Sequence, residues 1–413
     1  MLAGFIGNVV EWYDFALYGY MAGILSGLFF PGDDHLASLI ATYGVFAAGF
    51  VMRPLGSGIF GWLGDTIGRS QTMLVSVTMM ALPTFALGCL PTYDTLGVWA
   101  PALLVSVRLL QGLSVGGEFS SSVTYLVETA ADGHRGRSGS WANTGSIFGM
   151  LLGSGVAALV TSTMTDATLQ NWGWRLPFLF GGVIGLTSIL LRRHLPKSRH
   201  FQRHHDERCD SSPLLQAFTS NRRQMLQAIV FASAYGVLFY LPLVYLPQWL
   251  HDETGLGLDR ALQINSAATA LLLVLIPISG WAGDRLLRRT HLIALGMVGI
   301  GVLGWPMYLW LLAGGVGKVI VVQTALVILL AVPLGSAPAM FVELFPARDR
   351  LSGYSVAYNL GLGVVGGATP VVCTWLIDVT GAATAPAAYM VVMALVALVT
   401  LSIMQDRSRE PLR

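Results

Sequence analysis

The chain has 413 residues, of which 54% are hydrophobic and only 11% are charged, and its formal net charge is +2. An ordinary soluble domain carries about 25% charged residues, so this composition excludes that class and indicates a helical membrane protein with several spans. The 48 glycines agree with this interpretation, because small residues let membrane helices approach one another closely.

Twelve apolar runs are long enough for membrane helices, each of which needs about 20 residues to cross a bilayer. The start of the chain lacks the cationic leader and cleavage site of a secretory signal, so we read the first run as the first span. The fold class predicted is an all-α polytopic membrane protein with twelve transmembrane helices. The predicted spans cover residues 4–30, 38–62, 73–90, 98–128, 138–161, 174–191, 224–250, 261–282, 290–312, 318–342, 351–376 and 384–404.

The first predicted helix carries two carboxylates in the stretch VEWYDFALYGY, residues 10–20. Glu11 and Asp14 fall with Asn8 and Tyr18 at helical spacing, so one face of this helix is polar. Carboxylates in hydrocarbon are costly and usually functional. Two neighbouring carboxylates in a poorly solvated place resist double ionisation and titrate as a unit. We therefore predict that Glu11 and Asp14 carry a coupled proton; the alternative is that both form fixed pairs with arginines.

A polar stripe also runs along the fourth predicted helix, where Arg108, Gln111 and Glu118 recur at three- to four-residue spacing. Arg108 would lie about 14 Å down that helix. A guanidinium at this depth can hold a carboxylate with two parallel hydrogen bonds. We predict that Arg108 and Gln111 contact substrate and that Glu118 takes part in proton coupling. The alternative is a permanent salt bridge from Arg108 to Glu118 or Glu11.

Arg53, in the second predicted helix, is a second candidate for binding an anion. Pairing with Asp65 or with an acidic residue of the fourth helix explains its presence equally well. Pro54 would loosen the helix at this point by deleting a backbone donor.

Further side chains are predicted to line the same interior cavity. The fifth predicted helix offers Asn143 beside a glycine packing face, and the eleventh offers Tyr358 and Asn359. An aromatic cluster of the seventh helix that includes Tyr240 would suit a quaternary ammonium, although a gate hinge or plain core packing also explains it. With Tyr18, these complete the substrate-binding residues predicted from the sequence.

A short motif occurs twice, as GWLGDTIGR after the second span and as GWAGDRLLR after the eighth. Duplicated six-helix halves are a transporter architecture. The aspartates and arginines of the motif would bridge neighbouring cytoplasmic helix ends; a generic turn with solvated charges is the alternative, and two copies in register argue against it. Glu343 would pair with Arg348 or Arg350 as a second gate element. The predicted gating residues are Gly61, Asp65, Arg69, Asp284, Arg288 and Glu343.

The hydrophilic, basic segment 192–223 is predicted to be a cytoplasmic linker between an N-terminal bundle, residues 1–191, and a C-terminal bundle, residues 224–413. Most Lys and Arg residues fall on the side that holds both termini, and the outer loops contain only Arg260 and Lys318. Basic loops stay in the cytoplasm, so both termini are predicted to be cytoplasmic. Polybasic stretches beside spans commonly meet anionic lipid, which argues against a nucleic-acid partner.

The repeated loop resembles the signature of the major facilitator superfamily, with departures at Thr66 and Leu287. The longer stretches GNVVEWYDFALYGY, MRPLGSGIFGWLGD, RLLQGLSVGGEFSSSVTYLVE and WGWRLPFLFGG resemble its metabolite:proton symporter family, and the likeness extends from about Gly7 to Met404. This resemblance implies two pseudo-symmetric six-helix bundles and proton-coupled uptake at the bacterial inner membrane. The family includes permeases for 2-oxoglutarate, citrate, shikimate and proline/betaine.

The sequence thus predicts a proton-coupled symporter that imports a small organic carboxylate, such as a di- or tricarboxylate, by alternating access. A zwitterionic osmolyte such as proline or glycine betaine is the alternative cargo, and a sensor that does not transport is a further one. No Walker-type phosphate loop occurs, which argues against an ATP-driven pump. No His or Cys cluster falls in a span, so we predict neither an enzyme nor a cofactor or metal. The chain is expected to work as a monomer in the lipid bilayer.

Overall fold

The computed structural model describes residues 2–32, 35–193, 195 and 218–412. The regular secondary structure of those residues is helical, and they form no strand. Twelve long helices dominate: α1 Leu2–Phe29, α2 His35–Thr66, α3 Arg69–Cys89, α4 Trp99–Glu128, α5 Arg135–Thr163, α6 Arg175–Arg192, α7 Arg222–Thr254, α8 Leu258–Arg285, α9 Arg289–Leu312, α10 Val316–Leu344, α11 Arg350–Thr380 and α12 Ala385–Ile403.

The twelve predicted spans are confirmed, since each falls on one of these helices with its ends displaced by a few residues. Ten helices of the described chain are both long and apolar enough to cross a membrane. The other two, α1 and α2, have 28 and 32 residues and pack against them. The predicted linker lies mostly outside the described residues, but its two ends belong to helices, because α6 extends to Arg192 and α7 begins at Arg222.

The helices form two halves, α1–α6 and α7–α12. In the first half α1 packs on α5, α2 on α4 and α3 on α6, and in the second half α8 and α9 pack on α10 while α7 packs on α11. The halves meet where α5 contacts α8 and α10, and where α2 contacts α11. Close approach needs small residues: a Cβ on Gly112 of α4 would overlap the backbone of Gly49 in α2.

Two helices change their winding in the middle of the bundle. In α7 the segment Leu241–Tyr245 is π-helical, and in α11 so is Asn359–Gly366. Irregular backbone at membrane depth needs protein partners. Gln323 Nε2 donates to the carbonyl of Pro242 at 2.9 Å, which is one such partner. The break in α7 is therefore held by side chains of the second half.

Candidate functional site

A small cavity of about 30 Å³ lies between α1, α2, α3 and α4 in the first half. Its walls include Glu11 and Asp14 from α1, Arg53 from α2 and Arg108 from α4. Each of these four residues is at most 5% exposed. A space of this size holds about one or two waters, so four ionisable groups surround a site that is almost closed.

Asp14 and Arg108 form a buried ion pair across this central cavity. Arg108 Nη1 donates to Asp14 Oδ2 at 2.6 Å. Asp14 Oδ1 accepts from Gln111 Nε2 at 2.9 Å and from Thr84 Oγ1 at 3.0 Å. The Arg108 guanidinium lies 3.8 Å from the centre of the Tyr18 ring. The carboxylate of Asp14 therefore accepts three hydrogen bonds, and Gln111 and Tyr18 both lie at this ion pair. Their predicted contact with substrate stays a prediction.

The alternative of a salt bridge from Arg108 to Glu118 or Glu11 is wrong, because Arg108 pairs with Asp14 and Glu118 pairs with Arg192. Arg192 Nη2 donates to Glu118 Oε1 at 2.6 Å and to Ser122 Oγ at 3.0 Å. Sequence reasoning assigned Arg192 to the basic linker, whereas the structure buries it at the last turn of α6 with 1% exposure. The buried Glu118 indicated that a positively charged partner was needed, but spacing along the chain did not show that Arg192 provides it.

Glu11 and Arg53 are left over when these two ion pairs are formed. Glu11 Oε2 has no hydrogen-bond partner within the described part of the chain. The same residues provide no carboxylate within 4.0 Å of the Arg53 guanidinium, which rests 4.1 Å from the centre of the Phe50 ring. Tyr240, from α7, lies beside both Glu11 and Arg53. Through Tyr240, the second half thus covers an acid and a base that form no ion pair within the described residues.

Asp14 pairs with Arg108, whereas Glu11 forms no ion pair within the described residues, so the alternative that both are fixed by arginines holds for Asp14 alone. The predicted role of Glu11 and Asp14 in proton coupling stays a prediction. The alternative pairing of Arg53 with Asp65 or with an acid of α4 is wrong, because arginines other than Arg53 bind Asp65, Glu118 and Glu128.

Three predicted substrate contacts lie at the interface between the halves and not at the central cavity. Asn143 Nδ2 donates to the Tyr235 hydroxyl at 3.0 Å and to the carbonyl of Leu334 at 2.7 Å. Asn359 Nδ2 donates to the carbonyl of Gly116 at 2.8 Å. Tyr358 stacks on the Phe119 ring, with their centres 4.8 Å apart. In this conformation these side chains hold α5 and α11 against the opposite half.

The first copy of the repeated motif joins the two halves at the end of α2. Asp65 Oδ2 accepts the backbone N–H of Ser352 at 2.8 Å and Oδ1 that of Leu351 at 3.2 Å, both in the first turn of α11. Arg69 Nη1 lies 3.1 Å from Asp65 Oδ1. Gly61 permits this approach, because a Cβ there would lie 2.8 Å from the Cα of Ser352.

A buried acid supports this contact and was missed from the sequence. Glu128, the last residue of α4, lies 3.3 Å from Arg69 Nε and accepts from Arg350 Nη1 at 2.8 Å. We call Asp65, Arg69, Glu128 and Arg350 the α11 latch. A charged residue at the end of a predicted span resembles any solvated loop residue, so the sequence held no clear signal for it.

The second copy of the motif repeats the arrangement with the halves exchanged. Asp284 accepts the backbone N–H groups of Gly136 at 2.7 Å and of Arg137 at 2.8 Å, in the first turn of α5. Its ion-pair partner is Arg289 at 2.6 Å. The prediction of Arg288 for this position is wrong by one residue, since Arg288 is exposed whereas Arg289 begins α9 facing inward.

Glu343 belongs to this second cluster, so its predicted pairing with Arg348 or Arg350 is wrong. It binds Arg289, and Arg135 Nη1 of α5 lies 2.9 Å from its Oε1. Arg350 is already held by Glu128 in the first cluster. We call Asp284, Arg289, Glu343 and Arg135 the α5 latch.

The residues after α12 fold back onto this latch. Asp406 accepts the backbone N–H of Thr290 at 2.9 Å, in the first turn of α9. Burial opposes ionisation of Asp406, but hydrogen bonds from Ser408 and Thr290 outweigh it and lower the pKa of this carboxyl to about 2. Arg135 Nη2 donates to the carbonyls of Ser408 at 3.1 Å and Glu410 at 2.6 Å. The tail therefore bridges both halves.

Comparison with known proteins is consistent with this architecture. Residues 1–230 match the family described as "Sugar (and other) transporter". The chain is 33% identical over 421 residues to the proline/betaine transporter of Escherichia coli (strain K12), covering 100% of this chain and 84% of that protein. It is 34% identical over 408 residues to the alpha-ketoglutarate permease of the same strain, covering 98% and 93%. It is 31% identical over 406 residues to the citrate-proton symporter of Klebsiella pneumoniae, covering 97% and 90%.

A solved structure of a major facilitator superfamily proton:xylose symporter bound to 6-bromo-6-deoxy-D-glucose superposes with a TM-score of 0.79. The alignment covers 100% of this chain and 96% of that one at 17% identity, which supports the shared fold. The chain belongs to the major facilitator superfamily. The relatives also confirm the metabolite:proton symporter group that the motifs indicated, so this member of the superfamily is a multi-pass membrane transporter and not an enzyme.

In this major facilitator superfamily transporter, both latches lie on one face of the molecule. Each uses an aspartate of one half to hold the first turn of a helix in the other half. Unpaired N–H groups and the positive end of the helix dipole make such a turn a good partner for a carboxylate. The structure is therefore closed on the latch side.

Proposed function

We propose that this transporter is a proton-coupled symporter that imports a small organic carboxylate by alternating access. The observation that carries the proposal is that Arg53 and Glu11 line one buried cavity while neither forms an ion pair within the described chain. The protein would act as a monomer in the bacterial inner membrane, with both termini and the two latches on the cytoplasmic side.

Charge balance explains how such a site would couple proton and cargo. Asp14 and Arg108 neutralise each other at 2.6 Å. Burying an unpaired charge is costly, so the remaining residues, Glu11 and Arg53, must also be neutral as a set when the cavity closes. When Glu11 takes up a proton, Arg53 keeps a free positive charge. One carboxylate of the cargo then balances the charge of Arg53, so the site can close with the proton and the cargo both bound.

Arg53 is therefore the proposed anchor for the cargo, and Arg108 supports the site through Asp14. A guanidinium can stack on an aromatic ring while its edge binds a carboxylate with two hydrogen bonds. Arg53 already rests on Phe50 and lines the cavity that Glu11 and Arg108 also line. A single unpaired arginine supports one carboxylate at this point; further carboxylates of a di- or tricarboxylate would need partners from the second half.

A zwitterionic osmolyte is a second candidate, because the cavity combines an unpaired acid with aromatic rings. Glu11 and the rings of Phe15 and Phe50 surround the Arg53 guanidinium. An ammonium group could bind Glu11 and the rings while the carboxylate binds Arg53. The relative from Escherichia coli that bears the name proline/betaine transporter supports this alternative.

Purified protein in liposomes with an imposed pH gradient tests the proposal. Candidate cargoes are simple monocarboxylates, 2-oxoglutarate, citrate, proline and glycine betaine. We expect uptake of at least one carboxylate, accompanied by alkalinisation of the external medium. Uptake of proline or betaine alone would favour the second candidate. The absence of cargo-dependent alkalinisation with every compound would contradict proton symport.

Two variants separate the roles of the unpaired residues. Hydrogen bonds to charged groups contribute about 1.5–3 kcal/mol, so Arg53→Gln should weaken cargo binding roughly 10- to 150-fold. Glu11→Gln fixes the neutral form of the acid, so we expect cargo exchange across the membrane to continue while proton-driven accumulation is lost. If Glu11→Gln accumulates cargo like the parent protein, the proton is carried elsewhere.

A further inference from the structure

A second and larger cavity, of about 390 Å³, lies between the halves where α1, α5, α7 and α8 meet. We call it the vestibule. None of its described lining residues is charged. One polar group, the Tyr20 hydroxyl, comes from α1, and the others come from Ser154, Asn265, Ser266 and Thr269. These residues lie in the parts of α5 and α8 that are distant from the latches, which involve Arg135 and Asp284 at the opposite ends of the same helices.

Phe15 lines both the vestibule and the central cavity, and no other described residue does so. Its ring centre lies 5.1 Å from that of Phe50 at an interplanar angle of 76°, and 5.5 Å from that of Trp12. The Arg53 guanidinium lies 5.3 Å from the Phe15 ring centre. The ring shared by the walls of the two cavities therefore also contacts the cation proposed to anchor the cargo.

The vestibule contains a hydroxyl group, that of Thr269, that could bind a solute. Thr269 is 1% exposed, lines the vestibule, and its hydroxyl has no hydrogen-bond partner within the described residues. The Asn265 amide, in contrast, already donates to the carbonyl of Leu243 at 2.9 Å. A buried hydroxyl without a partner is unfavourable, and a carboxylate oxygen would accept its hydrogen bond.

We propose that Phe15 is an aromatic gate between the vestibule, where a small carboxylate-bearing solute first binds through Thr269, and the central cavity at Arg53. The nature of the solute rests on the proposed function, but the gate does not. A carboxylate passing from Thr269 to Arg53 must displace the Phe15 ring. Since that ring lies against the guanidinium, arrival of the cargo at Arg53 and movement of the gate are linked.

Cysteine labelling tests the gate without any transport assay. In a protein whose Cys89, Cys209 and Cys373 are replaced by serine, Ser154→Cys places a thiol in the vestibule and Val115→Cys places one in the central cavity. A membrane-impermeant anionic thiosulfonate is added from the side opposite the latches. We expect Ser154→Cys to react readily and Val115→Cys to be protected.

Removing the ring should join the two cavities. With Phe15→Ala added, we expect Val115→Cys to react at least tenfold faster. Phe50→Ala is the matched control, since Phe50 also stacks on Arg53 but lines only the central cavity, and it should leave Val115→Cys protected. Phe15→Leu, a milder change, should give an intermediate rate and serves if Phe15→Ala does not fold.

Three results would overturn the gate: protection of Ser154→Cys, an unchanged rate at Val115→Cys without the Phe15 ring, or equal acceleration by Phe50→Ala. Because labelling needs no cargo, these outcomes are independent of the uptake experiments. The role of Thr269 is tested by Thr269→Val, which should weaken cargo protection of Ser154→Cys against labelling while leaving its rate without cargo unchanged.

Discussion

Asp65 and Ser352 are joined across the two halves, with Asp65 Oδ2 accepting the Ser352 backbone N–H at 2.8 Å. Asp284 and Gly136 repeat this relationship in the opposite direction at 2.7 Å. Each half therefore provides a carboxylate to the positive end of a helix in the other half. Opening this face must break both contacts, so the strength of the two latches sets how readily the transporter opens there.

Asp65→Asn should loosen the α11 latch. A neutral amide loses the charge-assisted bonds to α11 and the ion pair with Arg69, and hydrogen bonds to charged groups contribute about 1.5–3 kcal/mol. We expect the amides of Leu351 and Ser352 to exchange with deuterium roughly tenfold faster or more, measured by mass spectrometry. Thr66→Ala is the control, because it removes hydrogen bonds to the carbonyls of Trp62 and Leu63 in its own helix and leaves the Asp65 carboxylate in place. Equal exchange in Asp65→Asn and the parent protein would argue against the latch.

Arg289→Gln should destabilise the protein strongly, whereas Arg288→Gln should not. Arg289 is 1% exposed and pairs with Asp284 and Glu343, while its neighbour Arg288 is exposed. Removing one partner of a buried ion pair costs about 3–5 kcal/mol, and a surface substitution changes stability by about 0.5 kcal/mol or less. Thermal unfolding of the two variants in detergent provides the comparison. Similar melting temperatures would show that Arg289 is not the residue that holds this cluster.

Asp14→Asn should be more harmful than the double change Asp14→Asn with Arg108→Gln. The single variant leaves the Arg108 charge buried without a counter-ion, which costs about 3–5 kcal/mol, whereas removing both charges is often tolerated. We expect the double variant to recover most of the lost melting temperature. Both should lose proton-driven accumulation, because the site is no longer held in shape. Additive destabilisation would show that the two residues are not coupled.

The α11 latch should depend on pH through Asp349, the buried residue before α11. Burial and the nearby Asp65 carboxylate raise the pKa of Asp349 to about 6, against the opposing effects of Arg348 and Asn221. Because this pKa lies above the value of 3.8 in an unfolded chain, the stabilisation belongs to the protonated form. The stabilisation by protonated Asp349 is fully present below about pH 4 and is lost as the pH rises through about 6.

Deuterium exchange in the first turn of α11, corrected for the intrinsic effect of pH, should therefore be faster at pH 7.5 than at pH 5. Asp349→Asn keeps the neutral form and should abolish that difference. A pH dependence of the same size in Asp349→Asn would assign the effect to another group.

Deleting residues 405–413 should loosen the α5 latch. Arg135 would keep its contact with Glu343 at 2.9 Å but lose the carbonyls of Ser408 and Glu410. We expect faster deuterium exchange in the first turn of α5, while the first turn of α11 remains unchanged as an internal control. Asp406→Ala should have a smaller effect of the same kind. Unchanged exchange at α5 would show that the tail rests on the latch without stabilising it.

The sequence by itself determined the twelve spans and the duplicated halves, whereas the side of the membrane that holds the termini and the gate motif stays a prediction. Hydropathy and charge report on contact with lipid or water, and each helix meets that requirement within its own residues. The sequence also identified Glu11, Asp14, Arg53 and Arg108 as interior residues, because ionisable groups inside a span are conspicuous whatever surrounds them.

Only the tertiary structure decided which acid forms an ion pair with which arginine. Asp14 and Arg108 are 94 positions apart, and Arg192 reaches Glu118 from a segment that reads as a solvated loop. Helical spacing shows which face a side chain shares, but the distance to a charge on another helix depends on how the helices cross. That packing paired two of the acids and, among the residues that the structure describes, left Glu11 and Arg53 without ion-pair partners. The residues proposed to carry the proton and the cargo could therefore be identified only from the fold.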